Sequence, residues 1–176
     1  MKKYCAFLRG VNVNGTNMKM AEVCQVFTDA GMQNVTSVLA SGNIIFSSGK
    51  DAAQLKEVLE KAMSQHFGYE AFLFIREEKD VLAMLQNDPF PVAGHCHNYV
   101  FIGSQKIEEL LSDAFQKAIK ADNEKGKTVN SIFYWQIQKG QTLGSEFSKI
   151  LGKKSLKDQL TSRNINTLEK IIKKFS

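Results

Sequence analysis

The sequence predicts an α+β fold in which two similar subdomains follow one another. The first observation is an element order of strand, helix, hairpin, helix and strand, which is the split βαβ order of a ferredoxin-like unit. The second is a related order of strand, helix, hairpin and helix that begins again at Tyr99 and is followed by an extra C-terminal helix. Between the two, residues 87–91 hold both prolines of the chain, and proline ends helices. We therefore predict a ferredoxin-like subdomain with an added short helix over residues 1–86, a linker over 87–97, and a second α+β subdomain with basic C-terminal helices over 98–176.

Each element of the first subdomain has a local reason in the sequence. Residues 3–8 form a strand that is apolar on both faces, so we expect it in the middle of its sheet. A helix follows from near Lys19 and ends before Gly31, the position typical of a C-cap glycine. The apolar residues that recur at helical spacing in it are Met20, Val23, Phe27 and Ala30.

The rest of the first subdomain is predicted as a hairpin, a helix and a strand. Apolar runs at residues 35–40 and 44–47 flank a Ser-Gly-Asn turn and therefore predict a β-hairpin. Asp51 is a suitable N-cap for the second helix, and Gly68 ends it. The remaining elements are a strand at 71–75 and a short helix at 78–86.

The second subdomain repeats this order with different residues. Asn130 and Ser131 separate two β-prone runs and predict a hairpin turn. The terminal helix is amphipathic, with Ile171 and Phe175 on its apolar face and lysines toward water. The predicted elements are a strand at 99–102, a helix at 107–118, hairpin strands at 128–129 and 132–137, and helices at 146–151 and 165–175. The sequence predicts no clear final strand for this second copy.

Composition and charge place limits on the function. Hydrophobic residues make up 43% of the 176 residues and charged residues 23%, as in soluble globular proteins. No apolar run approaches the ~20 residues that span a bilayer, so no membrane partner is expected. The cysteines Cys5, Cys24 and Cys96 form no close pair, which indicates reduced thiols in a cytoplasmic protein. Residues 149–176 hold eight basic and two acidic residues, which favours phosphate-rich partners such as nucleic acid, or is a solvated helix face.

The main candidate for a binding site is the loop after the first strand. Residues 8–17 supply one arginine, two glycines, three asparagines and a threonine. Glycine lets backbone N–H groups approach an anion closely, and the loop leads into a helix N-terminus. We therefore predict that Arg9, Asn12 and Asn17 bind a ligand. The spacing matches neither a Walker loop nor GxGxxG, and the alternative is a tight βα connection with Arg9 paired to a carboxylate.

Two further polar motifs stand at the ends of predicted elements. Ser41 and Asn43 belong to the hairpin turn, and Arg163 and Asn164 directly precede the terminal helix. Arg163 offers an oxyanion a planar and permanently charged group. If Arg9 and Arg163 face one cleft, they form a two-armed anion clamp. The structural alternatives are a turn selected for its backbone angles and a helix N-cap.

Metal-binding and catalytic motifs are weak. His95-Cys96-His97 is the most metal-like cluster, but no second cluster supplies the remaining ligands, so we expect no metal and no cofactor. The motif GxSxG is absent and no histidine stands in a catalytic motif. No catalytic residue is therefore predicted, and whether the protein is an enzyme stays open. The stacking platform of an RNA-binding ferredoxin-like domain is also missing, because the third strand carries only Phe46.

Three motifs resemble a known family. They are Leu-Arg-Gly-Val-Asn-Val at residues 8–13 followed by Gly15 and Asn17, Ser-Gly-Asn-Ile-Ile-Phe at 41–46, and Ser-Arg-Asn at 162–164 followed by Asn166 and Thr167. Together they are similar to the bacterial domain-of-unknown-function family DUF1697, over nearly the whole chain. The resemblance implies a cytoplasmic α+β protein with two similar subdomains. It brings no activity and no catalytic residue.

This chain departs from the family pattern at several positions. The typical loop reads Leu-Arg-Gly-Ile-Asn-Val-Gly-Gly-Lys-Asn, whereas Asn14 replaces the first glycine of the pair here and Thr16 replaces the lysine. Ala40 stands where a glutamine usually precedes Ser-Gly-Asn, and Ile165 stands where a tryptophan is frequent. The missing lysine removes one cation from the candidate anion-binding loop.

Three functions are compatible with the sequence. The first is a binding module for an anionic ligand, either a phosphorylated metabolite or nucleic acid. The second is an enzyme that acts on a small substrate in a cleft between the subdomains. The third is a structural or interaction protein whose motifs are turns and caps, with an open sheet edge that pairs with another chain. The predicted ligand-binding residues are Arg9, Asn12, Asn17, Ser41, Asn43, Arg163 and Asn164.

Overall fold

The computed structural model describes residues 1–11 and 17–176. The strands are β1 (Lys2–Arg9), β2 (Gln33–Val38), β3 (Asn43–Ser48), β4 (Phe72–Glu77), β5 (Cys96–Gly103), β6 (Lys125–Val129), β7 (Ile132–Gln138) and β8 (Leu160–Asn164). The helices are α1 (Met20–Asp29), α2 (Ala52–Phe67), α3 (Glu78–Gln86), α4 (Ile107–Lys117), α5 (Glu146–Leu151) and α6 (Ile165–Phe175). Short 3₁₀ turns lie at Thr142–Gly144 and Lys154–Leu156.

The chain forms two compact units. Unit 1 consists of Met1–Leu82 and Glu169–Ser176, and unit 2 consists of Ala83–Leu168. Helices α3 and α6 each contribute residues to both units. The predicted linker over residues 87–97 stays a prediction about domain organisation.

Unit 1 is a four-stranded antiparallel sheet with α1 and α2 packed on one face. The strand order is β2-β3-β1-β4, so the apolar β1 lies inside the sheet, as its sequence predicts. Helix α2 begins with a capping box, in which Asp51 accepts from the Gln54 backbone and the Gln54 side chain accepts from Asp51. The helix ends at Gly68, which has a φ of 66°. The largest fully buried side chains of this core include Tyr4, Phe27, Phe46, Leu55, Leu59, Met63 and Leu73.

Unit 2 has the same topology. Its strand order is β6-β7-β5-β8, with antiparallel pairing throughout, and α4 and α5 pack on one face. Phe147 of α5 is central in this core and contacts four other aromatic rings, those of Phe101, Phe115, Phe133 and Trp135. The predicted α+β fold with two similar tandem subdomains is confirmed.

One element of unit 2 differs from the prediction. The expectation of a second copy without a clear final strand is wrong, because β8 pairs with β5 and completes the sheet. The sequence of β8 is Leu-Thr-Ser-Arg-Asn, whose side chains beyond Leu160 are all polar. The apolar alternation that identifies a strand is therefore missing, although Thr161 and Arg163 are buried.

The α-helices in the described part of the chain are six to sixteen residues long. None of the helices there combines the length and the apolar character that crossing a bilayer requires.

Candidate functional site

The first two polar motifs of the sequence meet in unit 1. Arg9 is the last residue of β1, and Gly10 follows it with a φ of 73°. One residue earlier, the Leu8 backbone N–H donates to the Gly42 carbonyl at 2.8 Å. The start of the loop at Gly10 and the last residue of the turn between β2 and β3 therefore lie close together at one end of the sheet.

Gly42 is the position where the two motifs pack most closely. A Cβ at this residue would lie 2.5 Å from Val11 Cγ2 and 2.9 Å from Leu8 Cβ. Its φ of 78° also lies in the left-handed region that favours glycine. The Ser-Gly-Asn motif thus carries glycine for two reasons, backbone angle and close approach, and the second could not be recognised from the turn alone.

Asn43 holds the hairpin turn in place. Its side chain is fully buried, and Nδ2 donates to the Val38 carbonyl at 2.9 Å and to Ser41 Oγ at 3.0 Å. These bonds join the two ends of the turn at residues 39–42 and orient the Ser41 hydroxyl. Ser41 itself is exposed. Of the two predicted ligand-binding residues here, Ser41 is the one that solvent reaches, and Asn43 positions it.

The loop between β1 and α1 is anchored at both ends. Val11 and Met18 are each only 4% exposed and belong to the core of unit 1. Asn17, next to the second anchor, is exposed. Asn12, the third predicted loop residue, lies outside the described residues.

The start of α1 adds a positive element to the site. Its N-cap residue, Lys19, makes no capping bond with its side chain, although helix N-termini present N–H groups that need partners. The acidic residue of the first turn, Glu22, lies 2.9 Å from His66 Nε2 through its Oε1. Lys19 is exposed and Arg9 is half-buried, and the N-terminus of α1 carries a partial positive charge.

The late motif lies in unit 2, where its residues form structural hydrogen bonds. Arg163 sits in β8 and is 8% exposed, and its Nη1 donates to Thr161 Oγ1 and to the Ser162 carbonyl, both at 2.8 Å. Asn164 accepts the Asn166 backbone N–H through Oδ1 at 3.0 Å, as an N-cap of α6 does. Because Arg9 and Arg163 belong to different units, the two-armed clamp stays a prediction.

His97, from the metal-like cluster, also contacts this motif. It lies on β5, opposite Ile137, and its Nδ1 is 3.0 Å from Asn164 Nδ2. Within residues 1–11 and 17–176, no group of three or more acidic, histidine or cysteine side chains is arranged to hold a metal ion.

Unit 2 contains a buried polar network that the sequence did not reveal. Asn98 and Gln136 are opposite each other on β5 and β7, and Gln136 Nε2 donates to Asn98 Oδ1 at 2.9 Å. Asn98 Nδ2 donates to Asp88 Oδ2 at 2.8 Å and to the Phe90 carbonyl at 3.0 Å. Nearby, burial and the Asp88 carboxylate raise the pKa of the Tyr134 phenol. The network fastens the proline-rich segment to the sheet. The sequence feature that points to it is the presence of two polar residues, Asn98 and Gln136, within apolar strands.

The architecture defines the class of this protein as an α+β protein with two tandem ferredoxin-like units. Its family is equally clear: the sequence profile of the family described as "protein of unknown function (DUF1697)" matches residues 1–134, so the chain belongs to that family. The predicted resemblance is confirmed. Among curated proteins, none matches the chain.

A solved structure supports the same fold. The conserved bacterial protein SP0830 from Streptococcus pneumoniae superposes with a TM-score of 0.79 and 24% sequence identity. The alignment covers 99% of this chain and 98% of the other. At this identity the similarity establishes the fold alone.

Proposed function

We propose that this protein is a binding module for an anionic ligand, and that a phosphorylated metabolite binds where the loop after β1 meets the hairpin turn. Arg9 supplies the charge, Asn17 and Ser41 supply polar contacts, and the backbone at Gly10 allows close approach. Asn12 belongs to the same loop in sequence. The proposal leaves open whether a reaction follows binding.

The main support is a comparison of the same connection in the two units. From β1 to α1 the chain uses the ten residues 10–19, whereas from β5 to α4 it uses only the three residues 104–106. In unit 2 the residue after β5 is hydrogen-bonded to the residue before β8, since the Ser104 backbone N–H donates to the Gln159 carbonyl at 2.9 Å. Because three residues suffice for this fold, the additional length in unit 1 has another use, and long βα loops commonly bind ligands.

Ligand binding can be tested by thermal stability. A phosphorylated metabolite that binds the folded state should stabilise it by about 2.7 kcal/mol when present at 100 times its Kd. Arg9→Gln should weaken that binding about tenfold or more, because hydrogen bonds to charged groups contribute about 1.5–3 kcal/mol. Ser41→Ala should weaken it less, since the hydroxyl is neutral.

Lys61→Gln is the matched control. Lys61 is an exposed residue of α2 that belongs to neither motif, so the substitution removes one positive charge from the same unit. If Arg9→Gln and Lys61→Gln weaken binding equally, the effect is long-range attraction and the proposed site is wrong. If no phosphorylated compound shifts the thermal transition, the proposal fails.

Nucleic acid is the second anionic ligand class. Lys149, Lys153, Lys154 and Lys157 are exposed within a short stretch of unit 2. Binding through them should fall steeply as salt rises, because each neutralised phosphate releases counterions. A mobility-shift assay with short oligonucleotides that shows no complex even at low salt would exclude this class.

We further propose that the protein acts in the cytoplasm. Cys5, Cys24 and Cys96 form no disulfide, which suits a reducing compartment.

A further inference from the structure

Strand β6 is an open edge of the unit 2 sheet. In the strand order it has a neighbour, β7, on one side only. In an antiparallel pair, alternate residues direct their N–H and C=O groups away from the partner, so β6 presents such groups outward. The pairing from Lys125 to Val129 is regular, without a bulge. Strand β2, the edge of unit 1, is instead interrupted by a register shift between Gln33 and Thr36.

An acidic groove runs beside this edge. It has a volume of about 310 Å³ and is lined by Glu108, Glu109, Ser112, Asp113 and Gln116 of α4 and by Thr128 of β6. Asp113 is paired with Lys117 at 2.7 Å. Glu108 and Glu109 take part in no ion pair within the described parts of the chain, so their charges attract any cation in the groove.

The opposite face of β6 is basic. Gly126 faces the core, because a Cβ there would lie within 2.8 Å of the Phe115 and Phe133 rings. Successive side chains of a strand alternate between faces, so Lys125 and Lys127 point away from α4. Both lysines are exposed. An added strand would therefore meet acids on one face and lysines on the other.

We infer that β6 binds an extended segment of another protein as a fifth strand. The segment carries basic residues at alternate positions, facing Glu108 and Glu109, and acidic residues between them, facing Lys125 and Lys127. Main-chain hydrogen bonds supply the affinity of such a contact, and the alternating side chains supply its specificity. A second copy of β6 does not fit, because it has no acidic residue and would bring lysines against lysines.

The proposal can be tested with two blocked peptides of the same composition. One alternates lysine and glutamate, and the other has all its lysines before all its glutamates. The alternating peptide should shift the backbone amide resonances of Lys125–Val129, and it should bind about fivefold or more tightly than the block peptide, because its lysines all face the α4 glutamates while its glutamates all face Lys125 and Lys127. Equal binding of the two peptides, or no binding at millimolar peptide, would overturn the proposal.

Variants locate the contact. The double substitution Glu108→Gln with Glu109→Gln should reduce binding of the alternating peptide about fivefold. The control pair, Glu57→Gln with Glu169→Gln, removes two exposed charges from unit 1 and should leave binding unchanged. Thr128→Pro should also reduce binding, since proline blocks an edge. If that variant does not fold, the glutamine pair alone decides the result.

Self-association is checked by sedimentation at several protein concentrations. If the protein dimerises and the amide resonances of β6 shift with concentration, the edge belongs to a second copy and the inference is wrong.

Discussion

The two units share one topology but differ at the end of the sheet where β1 and β5 finish. Unit 1 has a ten-residue connection and a four-residue hairpin turn there, at residues 10–19 and 39–42. Unit 2 makes the same two connections with three residues and two residues, at 104–106 and 130–131. The fold requires only the short versions. The comparison therefore separates the loop residues that a ferredoxin-like unit requires from those that it does not require.

At the other end of the sheet the difference is reversed. In unit 2 the connections at residues 118–124 and 139–145 each have seven residues, against three each in unit 1 at 30–32 and 49–51. The two long connections of unit 2 are linked, because Glu146, at the start of α5, accepts the Ile119 backbone N–H. The third connection at the first end also differs, with four residues at 68–71 in unit 1 and eight at 152–159 in unit 2, so the two units carry different loops on one framework.

The largest effect is expected where the motifs of unit 1 touch. Gly42→Ala should destabilise the protein by about 3 kcal/mol, because a left-handed φ costs about 1–2 kcal/mol for a residue with a Cβ and overpacking adds about 1–3 kcal/mol. The new Cβ would meet Val11 and Leu8 at 2.5 and 2.9 Å. Urea unfolding followed by circular dichroism measures the change.

Gly31→Ala separates the two contributions to that effect. Gly31 is also in unit 1 and has a φ of 89°, but no heavy atom outside its neighbours lies within 4 Å of a Cβ placed there. This variant should lose only the backbone contribution, about 1–2 kcal/mol. Equal losses at Gly31 and Gly42 would show that the close contact between the motifs adds nothing.

The next largest effect concerns the residue that fastens the longer turn of unit 1. Asn43→Ala should destabilise the protein by about 2 kcal/mol, because it removes the donor to the buried Val38 carbonyl and to the Ser41 hydroxyl. Ser41→Ala removes only an exposed hydroxyl and should cost about 0.5 kcal/mol. Denaturant unfolding of both variants checks this order, and a reversed order would contradict the assigned role of Asn43.

Sequence patterns predicted most of the fold because its signals are local. The helical spacing of α1, the Asp51 cap and the turn at Asn130 each depend on neighbouring residues, and all were recognised. Strand β8 was missed because its register depends on β5, some sixty positions earlier, and its own residues alternate poorly.

The candidate site could be predicted only in part. The sequence identified the two motifs of unit 1 by their composition. It could not show that Val11 packs against Gly42, since only sheet pairing brings residues so far apart together. Nor could it show that Asn43 is buried, because a Ser-Gly-Asn turn is ordinarily exposed to solvent.

Removing the hydroxyl of one tyrosine in each unit should change the free energy of unfolding by smaller amounts, with a loss of stability in unit 2 and no loss in unit 1. In unit 2, Tyr134 Oη donates to the Met84 carbonyl at 2.8 Å, so Tyr134→Phe should destabilise the protein by about 1 kcal/mol. In unit 1, Tyr69 Oη is buried and has no hydrogen-bond partner within the described ranges. Tyr69→Phe should therefore be neutral or stabilising by up to about 1 kcal/mol. Urea unfolding measures both, and a clear destabilisation by Tyr69→Phe would mean that its hydroxyl has a partner.

The smallest effect is a pH dependence in unit 1. Glu77 Oε1 lies 2.6 Å from Lys2 Nζ and Oε2 lies 3.1 Å from Lys79 Nζ, and these hydrogen bonds lower the pKa of the Glu77 carboxyl. Because the folded pKa is below the unfolded value of about 4.3, this stabilisation is present above that pH and is lost as pH falls through the folded pKa. Glu77→Gln should therefore flatten the acid side of the stability profile, measured as the urea midpoint below about pH 5.

The control is Glu57→Gln, which removes an exposed acid on α2 and should leave this profile unchanged. The contribution is small because the pairs are exposed, and added salt should reduce it further. A flattening that persists in high salt would contradict an origin in these surface pairs.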